Sequence, residues 1–249
     1  KGIKQGRLKS AFAASAALTI AEQFRITREK LGSKWSTERC IPYFQANTNT
    51  YAPLSHLKTL YESALSEKDV IGLSIATRAD CISEEIADYL KELSEKTYLT
   101  VELGLQTIHD KTGERINRCH SYADFLKGYN MIKERGIPVC VHLINGLPGE
   151  THEMMVETAR EVGKLQPDFV KLHLLHIIKG TKIAEEFERG EFSLMTLPEY
   201  VSVICDQLEV LPQETVIQRV TGDGKKEDLI GPMWSLKKFV VMNEIDKEM

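Results

Sequence analysis

The strongest constraint on this chain is an alternation. Short, near-continuous apolar runs take turns with longer segments whose apolar residues recur every three or four positions. IPYFQA (41–46), VIGLSIA (70–76), LTVELGL (99–105), VCVHLIN (139–145) and FVKLHLLHI (169–177) read as strands, and VIQRVT (216–221) as a sixth. Between them lie helical spacings: Leu54, Leu57, Leu60, Tyr61 and Leu65; Ile82, Ile86, Tyr89, Leu90 and Leu93; Phe125, Tyr129 and Ile132. A short polar helix is expected near 109–116 and a longer one over 152–165. Thr196, with Glu199 three residues on, predicts a capping box opening another. Ile20, Phe24 and Leu31 mark a helix ahead of the first strand. Strands apolar on both faces, alternating with helices, predict an α/β fold with a parallel sheet joined by right-handed crossovers. No G-x-G-x-x-G follows a strand, so a partial (β/α)6 TIM-like barrel is expected rather than a dinucleotide-binding sheet. The domain is expected to span 17–249, with a C-terminal helical extension, after an irregular segment 1–16.

Composition narrows the class. Apolar residues at 42% and charged residues at 27% are ordinary for a soluble globular protein. No apolar run is long enough to span a bilayer, and the basic, alanine-rich start is too polar for a signal peptide, so a cytoplasmic location is expected. A net charge of −4 argues against broad nucleic-acid coating. The five cysteines are scattered with no C-x-x-C pair, which disfavours a zinc ribbon or a thioredoxin-like motif and suggests reduced thiols.

In parallel βα folds ligands bind at the carboxyl ends of the strands. There this chain places Gln45, Asn47 and Asn49; Arg78; Glu102 and Gln106; His142, Asn145 and Gly146; then Lys171, His173, His176 and Lys179. Period-two spacing puts Glu102, Gly104 and Gln106 on one face, His142 with Ile144 and Gly146, and Lys171 with His173. Buried hydrogen-bonding groups need partners, so a wall this polar suggests an open lumen with a polar ligand. Each feature also has a structural reading. Asn-Thr-Asn-Thr serves as a helix cap, Arg78 as half of a loop ion pair with Asp80, the histidines as core residues, and Gly-Leu-Pro-Gly as a tight turn with Thr151 capping the next helix. A divalent-metal enzyme built on His142, His173 and Glu102 is a further alternative.

Three strings occur together: Glu102-Leu103-Gly104-Leu105-Gln106-Thr107, then Arg118-Cys119-His120, then Ile144-Asn145-Gly146-Leu147-Pro148-Gly149-Glu150-Thr151. In order and spacing they resemble the radical S-adenosylmethionine (SAM) superfamily, in the branch of the elongator catalytic subunit and the methylthiotransferases. Cys119 stands where that branch has Gly. QANTNTYAP, the TRAD loop, KLHLLHIIKGT and TGDG narrow the likeness to an uncharacterised bacterial group labelled Fe–S oxidoreductases.

The resemblance implies SAM and a 4Fe–4S cluster as cofactors, and a flavodoxin or ferredoxin as electron donor. It implies reductive cleavage of SAM to a 5′-deoxyadenosyl radical that abstracts hydrogen from an unknown substrate. RNA-modifying relatives suggest RNA, without support from the charge. The implied SAM contacts are Gln45, Asn47 and Asn49 at the methionine end, Arg78 at the carboxylate, Glu102 and Gln106 at the ribose, and His142, Asn145 and Gly146 near the adenine. His173, His176 and Lys179 would face the substrate, with Tyr51 and Cys119 as further candidates for radical quenching. The superfamily's C-x3-C-x2-C is absent from these 249 residues, so the cluster cysteines and the first barrel strand are expected upstream of Lys1. The alternative within this likeness is a cluster-free barrel that binds SAM or a nucleotide.

Overall fold

A computed structural model describes residues 18–32, 39–45, 47–222 and 224–249; the N-terminal segment 1–16 lies outside them. In chain order the elements are α1 (Ile20–Gly32), β1 (Tyr43–Phe44), α2 (Leu54–Leu65), β2 (Gly72–Thr77), α3 (Glu84–Ser94), β3 (Tyr98–Gln106), α4 (Asp110–Arg115), α5 (Tyr122–Lys133), β4 (Val139–Asn145), α6 (His152–Lys164), β5 (Phe169–Leu174), β6 (Ile177–Ile178), α7 (Lys182–Glu188), α8 (Leu197–Val210), β7 (Val216–Arg219), β8 (Leu229–Gly231) and α9 (Lys238–Glu248). The fold class is α/β, with a six-stranded parallel sheet in the order β1-β2-β3-β4-β5-β7. None of the described helices is long and apolar enough to cross a membrane.

Two strands differ from the sequence reading. Among the described residues of the 41–46 run only Tyr43–Phe44 form a strand; Pro42 has no N–H to give and contributes only its carbonyl, to the Ser74 amide at 3.0 Å. The 169–177 run breaks after Leu174. The Leu175 amide turns to the Asn145 carbonyl at 2.9 Å, and Ile177–Ile178 pair antiparallel with β8 as a separate two-stranded sheet.

The described residues divide into two compact units. One comprises the described part of Leu8–Gly104 with Asp124–Val139. Its core is Tyr61, Leu73, Ile75, Leu90, Leu99, Phe125 and Ile132, all 2% exposed or less. Gly128 of α5 packs against the turn after β2 so closely that a Cβ there would lie 2.2 Å from the Ala79 carbonyl oxygen. On the surface, Arg135 joins α5 to α3 through Glu84 at 2.5 Å and Asp88 at 2.6 Å.

The other unit comprises Leu105–Ala123 and Cys140–Met249. Here α6 packs on α8 and α8 on α9, burying Met155, Ala159, Val162, Val203, Ile204, Val241 and Ile245. Strand β5 alternates strictly: Val170, Leu172 and Leu174 are buried, while Phe169, Lys171 and His173 are half-buried. Alternation with one polar face is the pattern of a strand that packs helices on one side only.

Candidate functional site

The first unit holds the strand ends of β1, β2 and most of β3. Glu102 is 4% exposed, and its carboxylate accepts from the Tyr43 hydroxyl and from the Ser74 hydroxyl, each at 2.7 Å. Register explains the trio, since Tyr43 lies opposite Ser74, and Ala76, two residues on, opposite Glu102. Asn49 is a brace: its amide donates to the Phe44 carbonyl at 3.0 Å and the Ala76 carbonyl at 2.7 Å, joining the loop after β1 to the end of β2. Thr50 adds a bond to Thr77 at 2.6 Å. Gln45 and Asn47 are exposed, and Asn47 has a positive φ of 65°. Arg78 grips Asp80 through two bonds of 2.9 and 2.6 Å, so the ion-pair reading of that loop describes its geometry.

The second unit holds the end of β3 and the strand ends of β4 and β5. Strand β3 ends in a tight turn in which the Thr107 amide reaches the Leu105 carbonyl at 2.8 Å, with Gln106 between them at φ 65°. A non-glycine residue at the centre of such a turn is strained. Arg118 holds it from behind. Its guanidinium, 2% exposed, donates to the carbonyls of Leu105 and Thr107, to the His120 carbonyl at 2.8 Å and to Asp110 at 2.7 Å. Gly113 makes room, because a Cβ there would sit 2.8 Å from the guanidinium.

The segment after β4 contains two left-handed glycines, Gly146 at φ 81° and Gly149 at φ 86°. They fold Gly-Leu-Pro-Gly into a turn that ends at Thr151, whose hydroxyl caps α6 by accepting from the Met154 amide. Burial pushes the Glu150 carboxyl above its ordinary range, while hydrogen bonds from Thr107 and Thr112 pull it back.

Asn145 and His142 fall on opposite sides of β4. Asn145 is 1% exposed and exchanges two 2.8 Å bonds with Gln207 of α8, so its side chain is held on the helix side, away from the polar face. His142 stands on the half-buried face with Ile144, and its ring lies 5.1 Å from that of His173. His142 is in register with Lys171, and Cys140 on the same strand approaches Gln218 at 3.7 Å. His176 follows β5, packed under Gly222 and Gly224. Lys179 is tied to the 227–228 turn by its ammonium and its amide, at 2.6 and 2.9 Å.

The structure thus brings His142 and His173 together with Lys171 in one unit, and in the other seats Glu102 on Tyr43 and Ser74. It turns Asn49, Arg78, Asn145 and Lys179 to structural partners. Tyr43, Ser74 and Arg118 were not singled out as site residues from sequence. The signals for them were a hydroxyl inside an apolar strand for Ser74 and the Arg-x-His string for Arg118.

The Radical SAM superfamily profile matches residues 41–162, and the Radical SAM C-terminal domain profile matches 167–249. The chain is 45% identical over 238 residues to the uncharacterized protein YtqA of Bacillus subtilis, covering 96% of this chain and 74% of that one. The chain belongs to the radical SAM superfamily. Among solved structures, the archaeal Methanocaldococcus infernus Elp3 with an N-terminal deletion superposes with a TM-score of 0.77 at 22% identity. That match takes in 93% of this chain and 60% of the Elp3 chain, so this chain spans about three fifths of it. Streptococcus suis SuiB bound to S-adenosylmethionine shares the fold at a TM-score of 0.52 and 15% identity, over 85% of this chain and 45% of that one.

Proposed function

We propose that this chain binds SAM on the polar face of β4 and β5 and belongs to an enzyme of radical hydrogen abstraction. The observation that carries the reading is the one-sided polarity of these strands in a chain of this superfamily. Val141, Leu143, Val170 and Leu172 are at most 1% exposed against the helices, while His142, Lys171 and His173 gather on the other face. Such a face fits a polar, charged ligand better than an apolar one. The strained turn at Gln106 and the left-handed Gly146 place backbone at the strand ends where side chains would crowd a flat ring.

The cysteines present do not fit an iron–sulfur cluster. In the first unit Cys40 sits before β1 and Cys81 after β2; in the second Cys119 lies in a loop, Cys140 in the sheet and Cys205 in α8. No step is therefore assigned to a cluster held by these residues. SAM, when bound, would supply radical hydrogen abstraction, one electron from a reduced iron–sulfur donor breaking its sulfonium C–S bond and releasing methionine. The residues described here bind and orient: His142 and Lys171 offer polar contacts to the nucleoside side, and Arg118 fixes the turn after β3. His173 and His176 lie on the substrate side, and the apolar helices exclude water from behind.

Histidine-ring NMR tests the binding step. SAM is expected to shift the His142 and His173 signals saturably and to leave that of His56, on the exposed side of α2, unmoved. A response confined to other histidines contradicts it.

A further inference from the structure

We propose that α7 is a hinged flap beside the strand ends, seated on Arg115 and Phe192 and turning about Gly180 and Gly190. What the flap serves rests on the reading of those ends as a ligand site; its motion does not. Every residue involved belongs to one compact unit. The two glycines bracket the seven-residue helix Lys182–Glu188, one on each side. Both are left-handed, Gly180 at φ 75° and Gly190 at φ 73°. A Cβ on either would meet nothing within 4 Å, so it is the backbone conformation and not crowding that asks for glycine. Gly190 also ends the helix: its amide reaches the Phe187 carbonyl at 2.9 Å, and the Glu191 amide reaches the Glu186 carbonyl at 3.1 Å. Gly180 precedes Thr181, whose hydroxyl caps the other end by accepting from the Ala184 amide.

Between these joints the helix is lightly held. Only Ala184 of its residues is buried, against six residues in each of α6 and α8. Lys182, Glu185 and Glu188 face solvent, and Ile183, Glu186 and Phe187 are half-buried. The seat lies outside the hinges. Glu186 meets Arg115 of α4 at 3.7 Å, too long for a hydrogen bond, and the Phe187 ring lies 5.7 Å from that of Phe192. Arg115 sits over the same Phe192 ring at 6.0 Å, and its Nη1 would lie 3.6 Å from a Cβ on Gly149. The latch arginine therefore rests on the turn after β4, and the flap reaches that turn through it. A half-exposed ion pair of this length is weak and is screened by salt. A helix this short does not hold its shape in water without its packing. An element with so few buried groups, set between two left-handed glycines, opens at a lower free energy than the whole unit unfolds. Opening bares Arg115 beside the turn after β4, where an anionic group of a ligand would find it.

Amide hydrogen exchange, read residue by residue by NMR on the whole chain with no ligand added, tests the flap. The amides of Glu185, Arg189 and Glu191 each bond to a carbonyl of the flap or its cap. They are expected to exchange through an opening that hardly depends on added urea, while those of Ala159 in α6 and Ile204 in α8 follow global unfolding with its steep urea dependence. Glu186→Gln, which removes the ion pair and keeps the size, should speed flap exchange about two- to fivefold. Added salt should speed it in the parent by a similar factor and add nothing in that variant. Phe187→Ala, which empties the ring contact, should speed it at least about fivefold. The salt arm needs no substitution, so it stays decisive if a variant folds poorly. Flap amides that share the urea dependence of Ala159 and Ile204 overturn the proposal. So does a local opening that salt or either variant leaves unchanged. Because no ligand enters this experiment, its failure leaves SAM binding at His142 standing. A failed SAM titration leaves the flap and removes only the use assigned to it.

Discussion

Arg118 shows how one side chain can shape a strand end. Four bonds from its guanidinium meet three backbone carbonyls and a carboxylate, and two of those carbonyls flank Gln106. A left-handed glutamine costs on the order of 1–3 kcal/mol, so the turn persists only because its surroundings hold it. Replacing Arg118 by Ala removes charge-assisted bonds and leaves buried carbonyls unpaired. Urea denaturation should show a loss of about 3 kcal/mol, and a loss below about 1 kcal/mol would mean the turn stands by itself. At this scale the sequence was partly legible. Glu102 stood out because a carboxylate in an apolar strand needs partners, and it has them. Asn145 was grouped with His142 by proximity, although adjacent strand residues alternate faces and an odd separation of three puts them on opposite sides. Asn49 and Lys179 are held by backbone carbonyls that come near only after folding.

Among the elements, the boundaries that came out best were those with local chemistry. Strand β4 spans Val139–Asn145 as read, between the turn at Gly136 and the left-handed Gly146. Helix α8 starts at Leu197 because Thr196 and Glu199 form the expected capping box, with the Thr196 amide donating to Glu199 at 2.7 Å. Thr196→Ala should lower stability by about 1 kcal/mol in thermal unfolding, and an unchanged midpoint would show that packing of Tyr200 and Ile204 alone sets the start. The elements that escaped notice lacked such signals. Ile177 and Ile178 continue an apolar run, so nothing local announces that they leave the main sheet for β8. The antiparallel pair depends on a partner more than fifty residues away, which periodicity does not reveal.

For the whole molecule, the alternation of strands and helices made the α/β class readable, and the three motif strings made the superfamily readable. The division into two compact units was not, because it follows from contact density rather than from a linker. Many of the polar residues at the strand ends, among them Asn49, Arg118, Asn145 and Lys179, hold those ends in place. A radical enzyme needs rigid strand ends to keep a reactive group on its target and water away from it.

The central claim is that these strand ends serve SAM cleavage. It is tested most directly by chromatographic measurement of 5′-deoxyadenosine after the native protein, purified without air and holding cluster iron, is reduced with dithionite in the presence of SAM. The account predicts 5′-deoxyadenosine formed with methionine in equal amounts, strongly reduced by Gly146→Val, whose side chain the left-handed backbone strains. An iron-loaded protein that leaves SAM intact would contradict it.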